Sequence, residues 1–131
     1  MDEIEFNKAM NTLFVYGTLK PGHFRFAVIE PFVIDEELIA DTAKGILFDS
    51  GYDWPAAIFD NSLESEIPGF IIKINSNNLE EILTLLDEEE GVNSLLFRRK
   101  VIQTSSKVNC WTYEYARSTE GFKIIQSWDK Y

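Results

Sequence analysis

The sequence predicts an α+β fold, a small curved mixed β-sheet or barrel packed against one main helix. Three observations carry that expectation. Short apolar runs recur along the chain between Asp, Asn, Gly and Pro residues, the pattern of many brief strands. One segment, 77–90, spaces its apolar residues with helical periodicity. Late in the chain, Trp111, Tyr113 and Tyr115 alternate with their neighbours, so they share one face of a strand. Many strands and a single long helix pack most simply as a sheet curved around or against that helix.

Taken in order, Leu13-Phe-Val-Tyr16 is an aromatic-rich apolar run and reads as a buried strand. It stops at Gly17-Thr-Leu-Lys-Pro21-Gly22, a loop by its Gly and Pro content. A short helix is expected over 23–30, before Pro31, followed by strands at 32–40, 44–48, 56–60 and 67–74. In the helix, Leu79, Ile82, Leu83 and Leu86 fall at i, i+3, i+4 and i+7 and mark its buried face. Asn77 or Asn78 is the expected N-cap, with Glu80 or Glu81 in capping-box position. A hairpin from Leu96–Thr104 to Val108–Tyr115 turns at Ser105-Ser106-Lys107, and a last strand is expected over 122–127. No repeat or linker divides the chain, so one domain over 1–131 is expected.

Composition narrows the function. At 131 residues and 45% hydrophobic, the chain can bury one proper core. A formal charge of −10 argues against nucleic acid and anionic membrane surfaces as partners. Cys110 and His23 are the sole cysteine and histidine. Neither an internal disulfide nor a zinc cluster can be assembled from them, and no metal or other cofactor is expected. With no apolar run of membrane-spanning length, and no secretion signal over 1–12, a cytoplasmic protein is expected.

Against this background the helix ends oddly. Asp87-Glu88-Glu89-Glu90 fills its last turn, immediately before Gly91. Helix C-termini carry partial negative charge, so each exposed acid there costs roughly 0.3–1 kcal/mol. Helical phase separates the four. Glu90 lies four residues past Leu86 and seven past Leu83, close to the middle of the apolar stripe. Glu89 sits at its margin, Asp87 points sideways and Glu88 points to solvent. An inward carboxylate, desolvated and beside other acids, has its pKa raised toward proton-transfer chemistry.

A second candidate is the turn after the first strand. Gly17 lets the chain bend sharply, so that successive N–H groups of Tyr16-Gly17-Thr18-Leu19 can converge as a nest for a carboxylate. Thr18 adds a hydroxyl and Lys20 a nearby positive charge. Arg98 and Arg99, as neighbours on a strand, point to opposite faces, so one at most enters any one cavity. Tyr113 and Tyr115 could offer hydroxyls to a ligand. His23 reads as a surface residue and Cys110 as inert packing.

Together these motifs resemble the gamma-glutamylcyclotransferase-like (AIG2-like) family. The resemblance rests on Phe14-Val-Tyr-Gly-Thr-Leu-Lys-Pro-Gly22, then Leu86-Asp-Glu-Glu-Glu-Gly91, then Phe97-Arg-Arg99. Gly45-Ile-Leu-Phe48 with Pro55-Ala56, Ile67-Pro-Gly69-Phe and Trp111-Thr-Tyr113 extend it over about residues 13–128. It implies the family's compact sheet-and-helix fold and a cyclotransferase that cleaves a gamma-glutamyl amide, releasing 5-oxoproline without a metal. It also implies that Tyr16, Gly17, Thr18 and Leu19 bind the amino-acid end of the substrate and that Glu90 is the acid/base; Tyr113, a candidate from the residues alone, is expected to join the substrate-binding set. Phe97 stands where the family commonly has Tyr, so a hydroxyl role there is lost. The alternative expectation is a non-catalytic carboxylate-binding module using the same cavity. The expected partner in either case is a small molecule. The sequence leaves the leaving amine and the oligomeric state open.

Overall fold

The computed structural model describes residues 10–20, 25–34 and 39–128. Among the described residues, seven strands form one sheet packed against one α-helix: β1 (Thr12–Val15), β2 (Ile39–Asp49), β3 (Pro55–Phe59), β4 (Glu66–Lys73), α1 (Leu79–Glu89), β5 (Phe97–Gln103), β6 (Asn109–Tyr115) and β7 (Lys123–Ile125). The order across the sheet is β3-β2-β4-β1-β6-β5, with β7 added on β2. Only the β1–β6 pair is parallel among these pairings. The sheet is therefore mixed, curved and nearly closed, with one main helix, as the sequence predicts.

Side chains complete the closure. The two ends of the strand order, β3 and the β5–β6 hairpin, meet without a backbone ladder. Instead the Phe59 N–H donates to Glu114 Oε2 at 2.8 Å, and Lys100 Nζ donates to the Phe59 carbonyl at 3.1 Å. A buried N–H or C=O without a partner is costly, so these two bonds satisfy groups that a further strand would otherwise pair.

Alternation divides the core in two. Leu13 and Val15 of β1 join Ile82, Leu83 and Leu86 of α1, and Trp111, Tyr113 and Tyr115 of β6, on the helix side. Phe14, Tyr16, Phe59, Ile67, Ile71 and Cys110 pack on the opposite face. Both faces of β1 are covered, which is why its sequence is continuously apolar rather than alternating. The apolar stripe of α1 is buried at Leu79, Ile82, Leu83 and Leu86, as its spacing requires.

Three expectations need correction. Residues expected as strands at 32–40 and 44–48 are organised differently. Glu30–Phe32 is a 3₁₀ turn, Val33 makes one bridge to Ile74, and Ile39–Asp49 is a single eleven-residue strand. That strand changes partners midway: 39–44 pairs with β4 and 45–49 with β3. The changeover falls at Gly45, where a Cβ would lie 2.2 Å from the Ile58 carbonyl. The helix expected over 23–30 is only the 3₁₀ turn Phe26–Val28, and 21–24, including His23, lie outside the described residues. Finally, Asn78 stands at the N-cap of α1, as expected, but its side chain makes no capping bond. Asn75 Oδ1 accepts from the Asn77 N–H at 3.0 Å and caps a 3₁₀ turn that leads into the helix.

Candidate active site

The cavity lies between the β1 end, the start of β3 and the C-terminus of α1. Tyr16, Gly17, Thr18 and Leu19 line it together with Glu90 and Tyr113, and Arg25, Trp54, Pro55 and Phe97 complete the wall near them. The sequence-predicted residues from three distant segments are thus brought to one place. Glycine at 17 lets Pro55 pack closely against the turn: a Cβ there would stand 2.8 Å from Pro55 Cγ. The turn is closed by Lys20 N–H donating to the Gly17 carbonyl at 3.0 Å. The N–H groups of Thr18 and Leu19 meet no acceptor among the described residues.

Glu90 follows α1 directly, and its N–H still donates to the Leu86 carbonyl at 2.8 Å. The helical phase therefore persists through residue 90, and the residue is only 8% exposed. Gly91 then takes φ +66 and ends the helix in the left-handed region. Burial raises the Glu90 carboxyl above the ordinary glutamate range, while the charge and hydrogen bond of Arg25 pull it back and Glu89 adds a smaller upward push. The other acids behave as their phase implies. Glu88 and Glu89 are exposed. Asp87 Oδ1 accepts from the Tyr113 hydroxyl at 2.7 Å, and Asp87 Oδ2 pairs with Arg99 at 3.3 Å.

Arg25 is the residue that sequence reasoning missed. Its Nη1 donates to Thr18 Oγ1 at 3.0 Å; Nη2 donates to Glu90 Oε1 at 3.1 Å and to the Glu89 carbonyl at 3.3 Å. It therefore supplies, from another segment, the cation that the last turn of α1 lacks. Lys20 is not that cation. It is buried, its Nζ donates to the Trp128 carbonyl, and it is not part of the cavity wall.

The two tyrosines present rings rather than free hydroxyls. The Tyr16 hydroxyl donates to the Tyr113 carbonyl, and that of Tyr113 to Asp87. Burial first, then the charge of Glu90, pushes the Tyr16 hydroxyl far above the usual tyrosine range. Burial and the bond to Asp87 do the same for Tyr113. Of the paired arginines, Arg98 turns outward to Glu114, whereas Arg99 lies over the Trp111 ring at 5.2 Å. Neither lines the cavity. Phe97 does, edge-on to Trp54 and Tyr115. Cys110 is fully buried with its thiol pushed up to about 12 by burial, an inert packing residue. Among the described residues no group of His, Cys, Asp and Glu could hold a metal ion, and no helix is long and apolar enough to cross a membrane.

The turn after β1 and a buried acid at a helix end thus face one cavity in a nearly closed mixed sheet. Over residues 13–130 the sequence matches the family described as gamma-glutamyl cyclotransferase, AIG2-like, and the chain belongs to that family. Its fold is similar to that of an AIG2-like protein from Mus musculus (TM-score 0.70, 20% identity, 92% of this chain and 88% of that one). It is also similar to YtfP from Escherichia coli (TM-score 0.57, 27% identity, 88% and 92%). A further likeness is to the uncharacterized protein PH0828 from Pyrococcus horikoshii (TM-score 0.64, 16% identity, 88% and 85%). No curated protein matches it significantly in sequence.

Proposed function

We propose that this protein cleaves a gamma-glutamyl amide by intramolecular attack of the substrate's own α-amine, with Glu90 as general acid/base. The observation that carries this reading is the buried Glu90 carboxylate in the wall of the same cavity as the Gly17–Leu19 turn. The open N–H groups of Thr18 and Leu19 would hold the substrate's α-carboxylate, which fixes the glutamyl end. A tethered amine needs no second substrate, and such proximity supplies several kcal/mol of the barrier.

The protein's task is then proton traffic. Glu90 takes a proton from the α-ammonium. The freed amine forms its bond to the γ-carbonyl carbon, the bond from that carbon to the leaving nitrogen breaks, and Glu90 passes to the leaving nitrogen first that proton and then the second one shed by the attacking nitrogen. Charge and protons balance: the α-nitrogen gives up two protons and the leaving nitrogen takes up two, so the products are 5-oxoproline and a protonated amine. A carboxylate raised by burial and held down by one cation is matched to both directions of transfer. Metal independence and a small-molecule partner follow from the same reading, as does a single functional domain.

The direct test is a panel of gamma-glutamyl amines and peptides assayed for 5-oxoproline with the wild type and with Glu90→Gln. Turnover of at least one compound, lost in the variant, is the expected result. Equal rates in the two proteins would remove Glu90 from the chemistry. Ligand binding without turnover of any compound would identify a binding module instead.

A further inference from the structure

In the mechanism above, the substrate's α-ammonium must touch Glu90, since proton transfer works over about 2.6–3.2 Å. At one of the two carboxylate oxygens a cation already stands. Arg25 Nη2 stands 3.1 Å from Glu90 Oε1. Of the cavity-lining residues, twelve are buried and only Arg25 and Trp54 are partly exposed, so these two frame the mouth. Arg25 therefore stands in the wall of the cavity where an incoming ammonium would approach Glu90.

The structure also shows where the guanidinium can go. The same Nη2 is 3.4 Å from Glu89 Oε2, and the Glu89 side chain is 45% exposed against 10% for Glu90. Two carboxylates, one inner and one outer, thus flank one cation. Nη1 stays anchored near Thr18 Oγ1, 3.0 Å away. Among the described residues, Arg25 and Glu89 are the charged groups facing Glu90. The Tyr16 and Tyr113 hydroxyls lie nearby, and the Asp87–Arg99 pair stands behind Tyr113.

We propose that Arg25 is a positioning and selectivity residue that works by cation exchange: it pairs with Glu90 in the empty site, and an incoming α-ammonium displaces it toward Glu89. The inference rests on the proposed function and adds a requirement to it. A guanidinium stays protonated at any working pH, so the Glu90–Arg25 pair cannot pass a proton. An ammonium can. The exchange therefore turns an inert ion pair into a reactive one, and it happens only for ligands that carry the α-amine. It also keeps the buried carboxylate paired throughout, avoiding the cost of an uncompensated buried charge.

The test compares the wild type with Arg25→Gln, and with Arg25→Lys as the charge-preserving control. Carboxyl-carbon NMR follows the titration of Glu90 in the free protein, the resonance being assigned by its loss in Glu90→Gln. Calorimetry compares L-glutamine with 4-carbamoylbutanoate, the same amide without the α-amine. In Arg25→Gln we expect Glu90 to titrate at higher pH and L-glutamine to bind about three- to tenfold more tightly. 4-Carbamoylbutanoate should be unaffected, and Arg25→Lys should return Glu90 toward its wild-type titration. Where turnover is found, the acid limb of the kcat/KM profile moves up with Glu90. An unchanged Glu90 titration, or equal weakening of both ligands, overturns the exchange. If no gamma-glutamyl compound is turned over and the amine-dependent binding still appears, the proposed function falls and the exchange stands.

Discussion

Glu90 and Glu114 are both buried carboxylates, 8% and 6% exposed, in the same small sheet, yet the protein treats them oppositely. Glu114 has its acceptors filled from three sides: the Phe59 N–H at 2.8 Å, Lys100 at 3.3 Å and Arg98 at 3.1 Å. It bridges the two ends of the sheet and is not in the wall of the cavity that holds Glu90. Glu90 has one cation among the described residues, Arg25, and an empty space in front of it. A carboxylate whose bonds are all taken by the fold is structure. One left with an exchangeable partner beside a cavity can still trade protons, and burial alone does not distinguish the two.

Glu90→Gln should break the comparison most visibly. Loss of the general acid/base should slow 5-oxoproline release by about 10²–10⁴-fold, with the fold intact by circular dichroism. The stability effect has a definite sign. Because burial raises Glu90, the folded state keeps the proton to higher pH than the unfolded chain. Stability from this group is therefore lost as pH rises from the ordinary carboxylate value through the raised one. Chemical denaturation across that window should show a flatter pH dependence for the variant. An active variant, or one with an unchanged slope, contradicts the assignment.

Glu114→Ala should do the reverse. It leaves the buried Phe59 N–H without an acceptor, worth roughly 1–3 kcal/mol of unfolding free energy. The side chains of Arg98 and Lys100 are 61% and 39% exposed and are rehydrated easily, so their lost ion pairs add little. Turnover per folded molecule should stay near wild type. If activity collapses while urea unfolding is unmoved, Glu114 belongs to the chemistry and the contrast fails.

How much of this contrast is legible in the sequence follows from which interactions are local. Glu90 is legible because α1 stays regular to Glu89 and the Leu79–Leu86 stripe sets a phase that one more residue inherits. The Gly17 turn is legible because a glycine directly after an apolar run marks where a buried strand ends. Arg25 is not: it meets Glu89 and Glu90 across 64 and 65 residues of chain, from a segment with no periodicity to orient it. Lys20, nearest in sequence to the turn, is the natural candidate, and its ammonium is drawn to Trp128 instead. The long β2 is hidden for a similar reason. Asp41, Thr42 and Lys44 interrupt its apolar pattern, while the bonds that make it one strand are backbone bonds to two different partners. Glu114 reads as an ordinary polar position, because the closure it performs joins strand edges that no local pattern connects.

Tyr113→Phe makes the finest distinction, since Asp87 is an acid intermediate between the two. Its side chain is 25% exposed and it holds Arg99 at 3.3 Å as well as the Tyr113 hydroxyl at 2.7 Å. Removing the hydroxyl takes one bond from a carboxylate that keeps its cation and its access to water, so the cost should be about 1 kcal/mol. The ring remains in the cavity wall. If Tyr113 serves the ligand through that ring, KM for a gamma-glutamyl substrate should change little, and the basic limb of the pH profile should not move, because the hydroxyl is held well above the usual tyrosine range. A large rise in KM would mean that the hydroxyl leaves Asp87 for the ligand. Tyr113 would then be a second group, with Arg25, whose resting partner on α1 is exchanged when the site fills.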